Sequence, residues 1–240
     1  LALAGCGKST SSSSATTKEL TFNSQTYTVP KDPQKIAVLS NSVLSMLYAV
    51  DGKAISRVST TDKLPPEIEA LPALGQTANI NMEQLLGLNP DVVLGLENQH
   101  KKYEAQLQSS KIPTVLIDYD GIKDNVPLLT FLGELTNHQD KAKTVIATYE
   151  NNIAKVKDAV KSQQPARVAV LRATGKGVTA ETDTAITASM VKDLGMTNVV
   201  TSHLDKTTTD KTVPYSLETL AADNPDIIFV VTMGKEEEIT

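Results

Sequence analysis

Two segments of the chain repeat one another at a fixed distance, and nothing else in the sequence restricts the fold as strongly. Asn81-Met82-Glu83-Gln84-Leu85 leads into Asn89-Pro90-Asp91-Val92-Val93, and Ser216-Leu217-Glu218-Thr219-Leu220 leads into Asn224-Pro225-Asp226-Ile227-Ile228. Glu218 follows Glu83 by 135 residues, and Asn224 follows Asn89 by the same 135. Ile36-Ala37-Val38-Leu39 returns as Val168-Ala169-Val170-Leu171, 132 residues later. Each copy reads as a helix opened by a capping residue, a break at Asn-Pro, and an apolar strand. A period this long does not describe a solenoid. It describes two similar lobes.

The segments between the repeats set the fold class. Continuous apolar runs predict buried strands at Ile36–Leu39, Ile55–Val58, Asp91–Leu96, Val115–Ile117, Val168–Leu171, Asn198–Val200 and Ile227–Val231. Helical patterns fall between them at Ser42–Val50, from Asn81, at Lys101–Ser109, at Thr187–Leu194 and at Tyr215–Ala222. Phe22 to Val29 is β-rich, and Thr60 to Gly75, with three prolines, reads as an irregular loop. Alternating strands and helices give an α/β fold with Rossmann-like parallel sheets. From Gln139 to Gln164 there is neither Gly nor Pro, and Val145, Ile146, Tyr149, Ile153, Val156 and Val160 recur at helical spacing. One long helix is therefore expected to join the lobes, with a ligand cleft between them, where facing α/β sheets gather their strand ends.

At the N-terminus, Leu3-Ala4-Gly5-Cys6 precedes a Ser/Thr tract, Ser9 to Thr17. Small residues before a cleavage point mark a processed leader. The expected organisation is residues 1–6 as the end of a signal peptide, 7–21 as a polar tether, 22–136 as the first lobe, 137–164 as the connecting helix and 165–240 as the second lobe. Cys6 is the one cysteine in 240 residues, which excludes a disulfide framework and a Cys-rich zinc site. The net charge of −5 and the lack of a basic block argue against a nucleic-acid partner. No apolar run reaches the length that spans a bilayer.

Two motifs mislead. Gly5-Cys6-Gly7-Lys8-Ser9-Thr10 ends like a phosphate-binding loop, but Ala2 stands where its first glycine belongs and four serines follow. Gly175-Lys176-Gly177-Val178-Thr179-Ala180 has dinucleotide-loop spacing, but Val178–Ala180 reads as extended, so a hairpin at the edge of the cleft fits better. The helix after it begins near Ala185. The three histidines, 38 and 65 residues apart, match no compact zinc motif. No Ser/His/Asp or Cys/His arrangement suggests a nucleophile.

The Leu-Ala-Gly-Cys order resembles the lipobox of bacterial lipoproteins, which implies lipidation of Cys6 and a position outside the cytoplasmic membrane, on a Gram-positive cell surface or on the periplasmic side. With the two lobes and the paired Glu-…-Asn-Pro-Asp segments, the chain from about Lys35 to Glu238 resembles the substrate-binding proteins of ABC importers. The closest resemblance is to the helical-backbone group that carries ferric siderophores, haem and cobalamin. Leu71-Pro72-Ala73-Leu74-Gly75-Gln76 and Asn79-Ile80-Asn81-Met82-Glu83 carry it most specifically. The resemblance implies a monomeric binding protein with no intrinsic cofactor, which passes an iron complex to a permease dimer and its ATPase. It also implies that the second lobe is incomplete in this fragment. One Glu per lobe, Glu83 and Glu218, would dock on the permease; helix capping is the alternative for both.

Ligand contacts are expected from Asn41, Gln76, Asn98 and His100 in the first lobe, and from Arg172, Tyr215 and Met233 in the second. Arg172 suits an anionic oxygen, or else forms an ion pair. Tyr215 would stack on a ligand ring or fill a lobe edge. His100 is either a ligand partner or a solvated loop residue. Haem-binding relatives hold iron with a Met after the Gly-Gln pair and a His near the last strand; Ala78 and Met233 stand at those positions, leaving Met233 as a candidate metal ligand. Cobalamin, a bare metal ion and a chelatase-like enzyme are the alternatives.

Overall fold

In a computed structural model the chain is described over residues 16–205 and 208–233. Contacts divide it into two compact units. The first takes the described residues up to Tyr119 together with Pro127–Val145; the second takes Asp120–Val126 and the residues from Ile146 onward.

Unit one opens with a hairpin, β1 (Thr17–Phe22) and β2 (Gln25–Pro30), in which Leu20 pairs with Tyr27. Thr17–Thr21, expected in the polar tether, are thus ordered as a strand. The cause is alternation: Leu20, Phe22, Tyr27 and Val29 are buried, and Phe22 and Tyr27 meet Phe131 edge to face. After β3 (Ile36–Val38) come helix α1 (Asn41–Ala49) and the single turn α2 (Pro66–Glu69). A small hairpin follows, β4 (Gly75–Gln76) with β5 (Asn79–Ile80), leading into α3 (Met82–Gly87). Then come β6 (Val92–Leu96), α4 (Glu97–His100), a 3₁₀ turn at Lys101–Tyr103, α5 (Glu104–Ser109) and β7 (Thr114–Ile117). The sheet is parallel in the order β3-β6-β7, and its core holds Ala37, Leu39, Val58, Leu74, Leu85 and Val93.

Two expectations in this unit are corrected. Ile55–Val58 does not form a strand; only an isolated bridge joins Arg57 to Ala73. The Ser56 hydroxyl accepts from the Val38 amide at 3.0 Å, so a side chain stands where a ladder bond would run. Lys101–Ser109 is not one helix but a 3₁₀ turn followed by α5.

Helix α6 (Asn125–Leu135) and helix α7 (Gln139–Lys161) each begin in one unit and end in the other. Gly133 allows α6 and α7 their close approach, since a Cβ there would stand 2.5 Å from that of Ala142. The apolar stripe of α7 is only partly covered: Ala142 is its one buried residue, and Val156 is 46% exposed.

Unit two is built on β8 (Arg167–Thr174), which turns through Gly175-Lys176 into antiparallel β9 (Gly177–Glu181). This is the hairpin read from the sequence. Helix α8 (Ile186–Asp193), β10 (Thr197–Asn198), a 3₁₀ turn at Val199–His203, β11 (Thr212–Val213), α9 (Leu217–Asp223) and β12 (Ile227–Met233) follow. β12 lies parallel to β8 along its length, so β10 and then β9 take the other edge of β8. β8 is buried on both faces, with Val168 and Val170 against α8, and Ala169 against Val199 and Val200.

The repeat extends to hydrogen-bond register. Ile36 pairs with Val92 in unit one, and their counterparts Val168 and Ile227 pair in unit two. Asn89 and Asn224, at φ 48° and 43°, end their helices in the left-handed region that asparagine tolerates. The following aspartates bind the start of the neighbouring strand: Asp91 Oδ2 accepts from the Gln34 and Lys35 amides, and Asp226 Oδ2 from the Arg167 amide. The two units differ at the second copy, where Ile227–Val230 are 37–58% exposed and β12 pairs with β8 alone among the described strands. In unit one, β6 has partners on both edges.

Candidate ligand-binding and docking sites

Glu83 and Glu218 occupy the same local structure. Each is the second residue of its helix, and each helix is capped by the residue before it: Asn81 Oδ1 accepts from the Gln84 amide at 3.0 Å, and Ser216 Oγ from the Thr219 amide at 3.0 Å. Each cap satisfies one of the amides that the helix start leaves open. Both side chains are exposed. Glu218 is held below the usual carboxylate range by its own backbone N–H and by the Ser216 hydroxyl, and so stays ionised.

In unit one, Asn41 opens α1, with its Oδ1 buried and unpartnered among the described residues. Gln76 and Asn98 are exposed, on the β4–β5 hairpin and on α4. His100, expected at a ligand or in solvent, does neither. It is fully buried, its Nδ1 accepts from the Leu96 amide at 2.8 Å, and its Nε2 is 2.8 Å from the Thr77 carbonyl. A carbonyl only accepts, so Nε2 carries the proton and the ring is neutral. Burial lowers its pKa from the ordinary histidine value and reinforces that state. Neither nitrogen is left for a ligand.

In unit two, Arg172 donates from Nε and Nη2 to Oε1 of Glu181, at 3.0 and 2.6 Å. Glu181 is fully buried, and its Oε2 accepts from the Ala188 amide in the first turn of α8 at 3.2 Å. Glu181 is not among the candidate residues that the sequence offers. Its signal lay in the hairpin register: Arg172 pairs with Thr179, so Glu181 is its diagonal neighbour on the same face. Arg172 therefore forms an ion pair to a buried carboxylate while its side chain remains 29% exposed.

Tyr215 is half-buried on the cluster around Val199 and Val200, and its hydroxyl donates to Asp223 Oδ2. Burial, with Asp223 adding to it, raises the phenol well above its ordinary pKa. Asp223 in turn is held low by the Tyr215 hydroxyl and by His203, whose Nε2 lies 2.7 Å away. The backbone of Met233 ends β12 opposite Thr174. Cys6 lies outside the described residues.

A cavity of about 510 Å³ in unit two has Asp120, Lys123, Asp183 and Lys211 in its wall, with Asp120 bridged to both lysines. It contains none of the ligand residues expected from the sequence. Among the described residues, no three His, Cys, Asp or Glu side chains gather to hold a metal ion, and no helix is long and apolar enough to cross a membrane.

Comparison with known proteins agrees with this architecture. A vitamin B12-binding protein of Pectobacterium atrosepticum is 28% identical over 58% of this chain and 51% of its own length. A probable siderophore-binding lipoprotein of Bacillus subtilis, YfiY, is 28% identical over 60% of this chain and 46% of its own. The chain thus spans about half the length of these curated relatives. Among solved structures, the triscatecholate siderophore-binding protein FeuA of Bacillus subtilis, complexed with ferri-bacillibactin, superposes with a TM-score of 0.73 at 24% identity, covering 93% of this chain and 78% of that one. Residues 36–239 match the periplasmic binding protein family, whose members here are substrate-binding proteins of transporters, and the chain belongs to that family.

Proposed function

We propose that the protein is the extracytoplasmic solute-binding component of an ABC importer, which captures an iron complex, a ferric siderophore or haem, and delivers it to the membrane permease without chemical change. Anchoring through a lipidated Cys6 belongs to the same reading. The observation that carries the proposal is the duplicated docking element: one exposed glutamate per unit, on the second residue of a separately capped helix, ahead of the same Asn-Pro-Asp anchor. Two like charges on equivalent turns suit a partner of two similar subunits bearing cationic side chains.

Ligand recognition is assigned to Asn41, Gln76 and Asn98 from unit one and to Arg172, Tyr215 and Met233 from unit two. Arg172 is oriented by Glu181 and offers its exposed edge to an acceptor oxygen. A corrinoid is the second reading. It is favoured by the charge compensation of Arg172, which makes this arginine a hydrogen-bond donor more than a net anion receptor.

The test is a doubly reversed variant, Glu83→Arg with Glu218→Arg, in the full-length protein. Uptake of the labelled iron complex by cells lacking the wild-type gene should be lost, while ligand affinity and melting temperature stay at wild-type values. Unchanged uptake would refute the docking assignment.

A further inference from the structure

The β4–β5 hairpin is fastened from one side by three side chains of the α4 region. His100 Nε2–H donates to the Thr77 carbonyl at 2.8 Å, Lys102 Nζ to the Ala78 carbonyl at 2.6 Å, and the Tyr103 hydroxyl accepts from the Ile80 amide at 2.9 Å. The three support one another: the His100 and Tyr103 rings stack at 6.3 Å and 25°, and Lys102 lies 5.0 Å over the Tyr103 ring. Lys102 is exposed and Tyr103 partly so. His100 is wholly buried and therefore has one fixed geometry.

The chain around His100 is cut to admit it. A Cβ at Gly95 would stand 2.9 Å from Nδ1, so only glycine leaves room for the ring beside β6. Within the turn, Gly75 sits at φ +94°, where a Cβ would meet the Asn79 carbonyl at 2.7 Å. With the Thr77 and Ala78 carbonyls bound inward, Gln76, Ala78 and Asn79 are left exposed. The same hairpin then runs directly into Asn81, the cap of the helix that carries Glu83.

We infer that His100 is a positioning residue for the binding site: its Nε2–H bond to Thr77 fixes the turn that presents Gln76 and Asn79 to the ligand. The ligand role of that turn rests on the function proposed above; the latch itself does not. Burial keeps the ring neutral, and the Leu96 amide on Nδ1 keeps the proton on Nε2, so the donor is always aimed at the turn. A ligand meeting Gln76 then finds a surface already ordered, and the cost of ordering it on binding is removed.

Three substitutions in the full chain separate this role from plain core filling. His100→Gln can still donate to Thr77 from its amide nitrogen, His100→Asn is too short to reach Thr77 but can accept from Leu96, and His100→Leu does neither. Amide exchange of the ligand-free segment 75–81 is the first readout. It should rise about tenfold in the Asn and Leu variants and stay near wild type in the Gln variant, tenfold being about 1.4 kcal/mol, the scale of one hydrogen bond. Val29→Ala, a buried change in β2 outside the core cluster that holds Ile80, serves as the control for general destabilisation and should leave that segment protected.

Titration with haem, ferric enterobactin and cyanocobalamin is the second readout. The probe that binds wild type should weaken with the Asn and Leu variants and recover with Gln. Equal exchange in the Asn and Gln variants, or a turn that loosens equally in Val29→Ala, would overturn the latch. Failure of wild type to bind any probe would instead refute the proposed function, with the exchange data still deciding the latch.

Discussion

Removing Arg172 should destabilise unit two more than removing Arg172 and Glu181 together. Glu181 is fully buried, and of its three observed donors two come from Arg172, with the Ala188 amide as the third. Arg172→Met leaves a buried carboxylate on a single backbone N–H. Breaking a buried pair from one side costs about 3–5 kcal/mol. The 29% exposure of the Arg172 side chain lets water reach its side of the site and places the expected loss near the lower end, about 3 kcal/mol. In Arg172→Met with Glu181→Leu no charge is stranded and the Ala188 amide alone loses its partner, which costs about 1–2 kcal/mol. Glu181→Leu alone strands a partly exposed guanidinium and is intermediate. The singles should therefore exceed the double, with a coupling of about 3–4 kcal/mol. Native-state hydrogen exchange of the β8 and β9 amides measures this within the unit that contains the pair, independently of unfolding elsewhere. A single Arg172→Met cost below about 1 kcal/mol, or additivity within about 0.5 kcal/mol, would refute the reasoning.

Gly133→Ala should lower stability by about 1–3 kcal/mol in thermal melts, because its Cβ would stand 2.5 Å from that of Ala142 and 3.3 Å from the His138 carbonyl. Gly87→Ala, with nothing within 4 Å of the added methyl at the end of α3, should be neutral or slightly stabilising. Tyr27 should titrate late: burial, aided by Glu97, Asp118 and Glu104, raises its phenol to about 12. The folded pKa lies above the ordinary value of about 10, so the stability this group contributes is complete below pH 10 and is lost as pH rises toward 12. Wild type and Tyr27→Phe should show equal phenolate absorbance through pH 10–11 and diverge only near pH 12; a smaller rise in the variant at pH 10–11 would contradict the burial argument.

The parts of the molecule legible in the sequence are those written in local chemistry. Asn89 and Asn224 take the left-handed conformation that stops a helix, Asp91 and Asp226 bind the amides of the neighbouring strand, and a pattern of a dozen residues records all of this. The pairing of Ile36 with Val92 and of Val168 with Ile227 follows once those anchors are set. Less legible were features decided by residues far along the chain. Ser56 sits in an apolar run that reads as a strand, and only the position of Val38 shows that its hydroxyl replaces a ladder bond. His100 reads as a loop residue because its partner Thr77 stands 23 positions earlier, in a hairpin whose docking no periodicity reports. Glu181 is obscured differently: the hairpin is visible in the sequence, but the register that sets Glu181 diagonal to Arg172 depends on where the Gly175-Lys176 turn closes.

Most directly at stake is whether the chain holds a small iron complex or corrinoid reversibly and unchanged. Titration of the full-length protein without its anchor, with haem, ferric enterobactin and cyanocobalamin, followed by absorbance and tyrosine fluorescence, measures this. The expected result is saturable one-to-one binding of one of these classes, weakened by Arg172→Met, with the ligand recovered chemically intact. Absence of saturable binding for all three, or release of an altered ligand, would contradict it.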